Sequence, residues 1–112
     1  MSTITTHVLD TAIGRPASGV TLLLAKGSGG GWHTVGRGTT DIDGRCKTLM
    51  KGNKKLAKGV YRLTFGVAAY FKRARQLAFY PAISIVFQVR DSRHHHVPLL
   101  LAPWGYSTYR GS

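Results

Sequence analysis

Alternating apolar and polar residues recur along the chain in short runs, which are separated by turn-forming residues. In the clearest run, residues 83–90, one face carries Ile83, Ile85, Phe87 and Val89. A period of two predicts a half-buried strand whose apolar face lies against a core. Together the runs predict an all-β, two-sheet sandwich of about eight strands. The predicted strands are residues 5–10, 20–25, 32–36, 45–48, 60–65, 83–90, 95–101 and 106–109.

One segment departs from the strand pattern. Its apolar residues recur at helical spacing, and Pro81 prevents any continuation of a helix. This spacing predicts one short helix packed against a sheet. The residues expected to face the sheet are Val67, Phe71, Ala74 and Ala78.

Three stretches between the strands are typical of turns and loops. Residues 27–31, Gly-Ser-Gly-Gly-Gly, predict a flexible hairpin loop. Residues 41–44, Asp-Ile-Asp-Gly, predict a tight turn that presents Arg45. The lysine-rich residues 51–58 predict a loop between two strands.

The length of 112 residues predicts a single domain spanning residues 1–112. Such a chain buries only about 60–70% of its unfolded surface, so we expect partner subunits to cover more of it. No apolar run approaches about 18 residues, and the first six residues do not resemble a signal peptide, so no membrane partner is expected. A single cysteine, Cys46, excludes an internal disulfide and fits a cytoplasmic location.

The charge balance is strongly basic. The chain has 16 Lys and Arg residues against 4 acidic residues, all of them Asp, for a formal net charge of +12. Such a charge favours anionic partners, and nucleic acid is one candidate. The basic residues are dispersed, however, and aromatic residues are not interleaved with them on a recognisable platform, so no nucleic-acid partner is expected. The same charge would attract a small anionic substrate.

The histidines are the main candidates for chemistry. His94 and His96 point to one face of a predicted strand and His95 to the other. If His7 lies on a neighbouring strand, three imidazoles could hold a zinc ion that activates water. The same imidazoles could instead act as acid and base without a metal. His33 is expected at the surface.

Three motifs carry a resemblance to a known family. The closing run, residues 94–112, ends in Tyr-Arg-Gly-Ser; residues 6–11 read Thr-His-Val-Leu-Asp-Thr; and residues 39–45 read Thr-Thr-Asp-Ile-Asp-Gly-Arg. In order and spacing these motifs resemble the 5-hydroxyisourate hydrolases, a family with the transthyretin fold. A final tetrapeptide that carries a phenol, a guanidinium, a hydroxyl and a carboxylate is expected to lie in a site, not to fray in solvent.

The resemblance implies a function for particular residues. It implies hydrolysis of 5-hydroxyisourate, the unstable product of urate oxidation, to 2-oxo-4-hydroxy-4-carboxy-5-ureidoimidazoline, with no metal or other cofactor, in a channel between the subunits of a homotetramer. The implied catalytic residues are His7, Arg45, His96, Tyr109 and Ser112. The implied substrate-binding residues are His7, Arg45, Tyr109, Arg110 and Gly111.

Some residues depart from the family pattern. His95 stands where the family more often has Tyr, Ala102 where it often has Ser, and Trp104 where Phe is common. We expect little effect on the chemistry, although His95 could line the same channel and alter its pH response. The alternative function is a transthyretin-like carrier of small aromatic ligands. A channel rich in histidine argues against a carrier, because sites for hydrophobic ligands are mostly apolar.

Overall fold

The computed structural model describes residues 4–50 and 56–112. Within these residues, nine strands form two sheets and one short helix connects two of the strands, which confirms the predicted sandwich. Part of the predicted lysine-rich loop, residues 51–55, lies outside the described residues. The elements are β1 (Ile4–Asp10), β2 (Arg15–Pro16), β3 (Thr21–Ser28), β4 (Gly31–Thr39), β5 (Arg45–Cys46), β6 (Gly59–Gly66), α1 (Val67–Arg73), β7 (Ile83–Val89), β8 (His95–Ala102) and β9 (Gly105–Thr108).

The first sheet has the order β2-β1-β8-β9, with β5 paired to β1, and the second has the order β4-β3-β6-β7. Strands β1 and β8 are parallel, and all other pairs between these elements are antiparallel. Burial alternates along β1: Ile4 and Val8 face the core, whereas Thr5 and His7 lie on the other face. The outer face of the first sheet is therefore the place where polar side chains of β1, β5 and β8 can meet.

The predicted alternation in β7 is confirmed. Ile83 and Val89 are buried, Ile85 and Phe87 are half-buried against the core, and the residues between them are exposed. Phe87 also stacks on the buried Tyr61 of β6, with 6.0 Å between ring centroids. The period-two pattern thus predicted correctly which face of this strand lies against the core.

The glycine-rich stretch at 27–31 is a tight hairpin, not a loose loop. Strand β3 continues to Ser28 and β4 begins at Gly31, so only Gly29 and Gly30 form the turn. Both have positive φ, 51° and 92°. Two-residue hairpin turns require such values to match the twist of the flanking strands, and glycine adopts them without steric cost.

The helix is shorter than its predicted apolar face. It ends at Arg73; Ala74 is its exposed C-cap, and Ala78 packs on the core from beyond the helix. Tyr70, with Val67 and Phe71, supplies the buried face. The assignment of Ala74 to that face was wrong, because the chain leaves the helix at Arg75, whose φ is 55°. No helix in the described ranges has the length and apolarity needed to cross a membrane.

A buried hydrogen bond ties the helix to the first sheet. The Tyr70 hydroxyl donates to Asp10 Oδ2 over 2.6 Å, and the other carboxylate oxygen accepts the Ala12 backbone N–H over 3.1 Å. Burial, with the hydrogen bond to Asp10, raises the pKa of Tyr70 to about 12. The carboxylate of Asp10, only 1% exposed, therefore depends on these two donors in place of water.

Tyr70→Phe is expected to lower the free energy of unfolding by about 1–3 kcal/mol, because it leaves a buried carboxylate oxygen without its donor. Urea unfolding measures this loss. Tyr80→Phe is the matched control, since the edge-to-face contacts of Tyr80 with Phe79 and Tyr106 use the ring and survive in phenylalanine. Equal midpoints for Tyr70→Phe and wild type would contradict the stabilising role of this bond.

Candidate active site

The turn before β5 fixes the backbone position of Arg45. Asp41 Oδ1 accepts the backbone N–H groups of Asp43 and Arg45, both over 2.9 Å, and Gly44, with φ of 75°, closes the turn. The Arg45 N–H is the main cause that lowers the pKa of Asp41 below its usual value. His7 Nε2–H donates to the Asp43 carbonyl over 2.9 Å. The structure therefore contains the predicted tight turn and anchors it to β1.

Strand register brings the predicted residues together. On the two sides of β1, His7 pairs with Arg45 of β5, and Thr5 pairs with His96 of β8. A cavity of about 300 Å³ lies over this part of the sheet. Its lining includes Thr5, Arg45, Lys47, His94, His96 and Ser112. His7 is adjacent through its pairing with Arg45 but does not line the cavity.

His96 is the best-defined ionisable group in this cavity. Its Nδ1 is hydrogen-bonded to Thr5 Oγ1 over 2.8 Å, which leaves Nε2 as the ring nitrogen for water or substrate. Burial lowers the pKa of His96 below its ordinary value, and the positive charges of His94, Arg45 and His7 lower it further. The imidazole is therefore neutral at neutral pH and can accept a proton.

His95 lies on the opposite face of β8, as the alternation predicts. It is only 4% exposed, and its Nδ1–H donates to the Arg93 carbonyl over 2.6 Å. It lines a second cavity of about 380 Å³, which lies on the β7 side of the strand. The expectation that His95 lines the same channel as His94 is therefore wrong for the cavity that contains Arg45.

The C-terminal tail divides between the two cavities. The Gly111 N–H donates to the His96 carbonyl over 2.9 Å, and this bridge carries Ser112 to the cavity that contains Arg45. Tyr109 and Arg110 line the second cavity instead. His96 borders both cavities, and the tail passes from one cavity to the other beside this residue. The phenol of Tyr109 and the guanidinium of Arg110 therefore do not line the cavity that contains Arg45.

The three-histidine metal hypothesis finds no support in the geometry. Across residues 4–50 and 56–112, no three His, Cys, Asp or Glu side chains are grouped to hold a metal ion. His94 and His96 instead stack with 6.4 Å between ring centroids and share the hydroxyl of Thr5. His33 is exposed on β4, as expected, and is hydrogen-bonded to Ser28 over 3.2 Å.

Three residues that line the cavity were not among the candidates from the sequence, namely Thr5, Thr6 and Lys47. His94 was considered as a metal ligand or as an acid-base group, but not among the implied catalytic or binding residues. A signal for Thr5 was present, because it lies two residues before His7 on one predicted strand and so shares its face. Lys47 shares a face with Arg45 by the same argument.

Comparison with known proteins decides the family. The model of the HIUase/Transthyretin family matches residues 4–111. The chain belongs to this family. It is 42% identical over 114 residues to the 5-hydroxyisourate hydrolase of Mus musculus, covering 99% of this chain and 96% of that protein. The resemblance inferred from the three motifs is therefore confirmed.

Two further relatives agree with the family assignment. The chain is 46% identical over 123 residues to the uric acid degradation bifunctional protein TTL of Arabidopsis thaliana, covering 97% of this chain but only 37% of that longer protein. The structure superposes on the 5-hydroxyisourate hydrolase of Klebsiella pneumoniae with a TM-score of 0.85 and 38% identity, covering 100% of this chain and 94% of the other. The transthyretin-like sandwich is thus shared along the whole chain.

Proposed function

We propose that this protein hydrolyses 5-hydroxyisourate to 2-oxo-4-hydroxy-4-carboxy-5-ureidoimidazoline, in the cavity bordered by His96, Arg45 and Ser112 and without a metal. The observation that carries this proposal is the placement of His96: Thr5 holds its Nδ1, its Nε2 is left for water, and it lines one cavity with the Arg45 guanidinium. Burial lowers the pKa of His96, which favours the neutral imidazole that a base needs. Homologues named 5-hydroxyisourate hydrolase, similar over nearly the full chain, support the same reaction.

The chemistry follows from these side chains. His96 Nε2 removes a proton from water while the water oxygen adds to the ring carbonyl of the substrate. The guanidinium of Arg45 stabilises the resulting oxyanion and holds the planar, polar ring by fork-like hydrogen bonds. His96 then returns the proton to the departing ring nitrogen as the amide bond breaks. The Ser112 hydroxyl orients an edge of the substrate.

The other implied residues have supporting roles in this proposal. His7 lies beside the cavity and acts through Arg45, because its Nε2–H holds the turn that presents the guanidinium. Gly111 brings the tail against His96. Tyr109 and Arg110 line the neighbouring cavity, so we propose that they bind substrate where subunits of a homotetramer meet and close the open face of the sheet. A cytoplasmic location in urate breakdown stays a prediction.

A carrier without catalysis is the alternative function. The lining of the cavity includes two histidines, an arginine, a lysine and hydroxyl groups, whereas sites for small aromatic ligands are mostly apolar. The proposal is tested by incubating fresh 5-hydroxyisourate in H₂¹⁸O, with and without prior exhaustive chelation of the protein. We expect accelerated formation of a product labelled in its new carboxylate in both samples. Loss of acceleration on chelation would favour a metal site, and tight binding without acceleration would favour a carrier.

Gly111→Ala is expected to lower kcat/KM by about 10²-fold, a loss typical of a misplacement of about 1 Å in a site. A Cβ at Gly111 would collide with the imidazole of His96, so either the tail or the ring must move. Steady-state hydrolysis measures the loss. Gly105→Ala is the matched control, because a Cβ there meets no other atom, and an equal effect of the two changes would contradict the role of the tail.

A further inference from the structure

One hydroxyl joins two imidazoles at the edge of the cavity. Thr5 Oγ1 lies 2.9 Å from His94 Nε2 and 2.8 Å from His96 Nδ1. The two rings are nearly parallel, with an interplanar angle of 16°. His94 is exposed, whereas Thr5 and His96 are half-buried. The three side chains therefore form a hydrogen-bonded chain along the lining of the cavity, from half-buried His96 to exposed His94.

The single proton of the Thr5 hydroxyl couples the tautomers of the two imidazole rings. The Thr5 hydroxyl has one proton to donate, so it donates to one imidazole nitrogen and accepts from the other. If His96 Nδ1–H donates to Thr5, then Thr5 donates to His94 Nε2, and His96 Nε2 has no proton. If the direction reverses, His96 Nε2 carries a proton. The chain thus has one state in which His96 is a base and one in which it is an acid.

The partner of His96 Nδ1 is the Thr5 hydroxyl, not the carboxylate that often orients such a histidine. Among the described residues that line the cavity, none has an Asp or Glu side chain. The carboxylate of Asp10 is bound by Tyr70, that of Asp41 by its own turn, and that of Asp91 by Arg93, whereas Asp43 lies in the turn before Arg45 and does not line the cavity. The groups that face His96 are cations or potential cations, namely His94, Arg45 and His7. A neutral hydroxyl is therefore the group that sets its tautomer.

We propose that Thr5 and His94 form a proton relay behind His96, in which Thr5 is the positioning residue and exposed His94 is the terminal proton acceptor. This inference rests on the proposed hydrolysis and deepens it. In the attack step, water gives its proton to His96 Nε2 as the water oxygen bonds to the carbonyl carbon. His96 Nδ1 passes its own proton to Thr5 Oγ1, and Thr5 passes its proton to His94 Nε2.

The step balances in atoms and charge. The carbonyl oxygen becomes an oxyanion beside Arg45, and His94 becomes a cation at the solvent edge. When the intermediate collapses, His96 Nε2 gives its proton to the departing ring nitrogen. Thr5 then returns a proton to His96 Nδ1 and takes one from His94 Nε2, which restores the starting state. The relay places the positive charge on exposed His94 and leaves half-buried His96 neutral, since burial disfavours a charged imidazole.

The first test compares two changes at Thr5. Thr5→Val keeps a β-branched side chain suited to the strand but removes the hydroxyl, whereas Thr5→Ser keeps the hydroxyl. We expect Thr5→Val to lower kcat about 10- to 100-fold with little change in KM, by analogy with other residues that orient an active group. Thr5→Ser should stay near wild type. Equal kcat for Thr5→Val and wild type would overturn the relay.

The second test does not require turnover. The ¹⁵N shifts of the imidazole nitrogens should show His96 protonated at Nδ1 and His94 protonated at Nδ1 in the resting protein. Thr5→Val should redistribute the tautomers of both rings, and Thr5→Ser should restore them. Unchanged tautomers in Thr5→Val would overturn the coupling even if hydrolysis is found. Coupled tautomers in a protein without hydrolysis would instead reject the proposed function, and with it the catalytic use of the relay.

Discussion

His96→Gln is expected to lower kcat for 5-hydroxyisourate by about 10²- to 10⁴-fold, the usual contribution of a general base. Glutamine keeps a polar side chain on β8 but cannot accept the proton of water. Stopped-flow absorbance with fresh substrate measures the loss. His33→Gln is the matched control, because His33 lies on β4 in the other sheet and outside both cavities that border His96. Similar rates for His96→Gln and wild type would contradict the assignment.

The same histidine sets the expected pH dependence. Burial, with the charges of His94, Arg45 and His7, lowers the pKa of His96 below 6.5. Because the base must be neutral, kcat/KM should fall as the pH drops through this lowered pKa, and the midpoint of the fall should lie below pH 6.5. His96→Gln should lack this acid limb. A limb centred above pH 6.5 would point to another base.

Arg45→Met is expected to lower kcat/KM by about 10²- to 10³-fold, the usual effect of removing one oxyanion donor. Methionine fills a similar volume without charge or donors. Arg45→Lys should recover only part of the loss, because an ammonium group lacks the planar fork of a guanidinium. Steady-state kinetics at low substrate concentration measure both variants.

A control separates this effect from loss of net charge. Arg37→Met removes one positive charge from the second sheet, where Arg37 pairs with Leu23 and lies outside the cavity of Arg45. We expect its kcat/KM to stay close to wild type. An equal loss in Arg37→Met and Arg45→Met would show that Arg45 acts only through long-range attraction of the substrate.

Much of the fold could be predicted from local patterns. The alternation of apolar residues in β7 predicted its inward face, and the helical spacing of apolar residues after β6 predicted a helix. Both patterns are set by residues close together in the sequence. The pairing of Arg15 and Pro16 with β1 could not be predicted, since two residues carry no period. The end of the helix depended on the positive φ of Arg75, a conformation that sequence does not indicate for arginine.

For the candidate site, the sequence motifs indicated which residues to consider but not how those residues are arranged. The motifs indicated His7, Arg45 and His96, and the pairing of β1 with β5 and β8 brings them together. The link from Thr5 to two histidines depends on the register of a parallel pair of strands about 90 residues apart in sequence, which no local pattern specifies. The placement of Tyr109 in a second cavity depends on the bridge at Gly111 in the same way.

The most direct test of this account is the rate at which fresh 5-hydroxyisourate disappears, followed by ultraviolet absorbance, with wild-type protein and with His96→Gln at equal concentration. We expect strong acceleration by wild-type protein that has been treated with a chelator, and almost none by His96→Gln. Wild-type protein that leaves the uncatalysed rate unchanged would contradict the hydrolase function. Equal acceleration by both proteins would contradict the site.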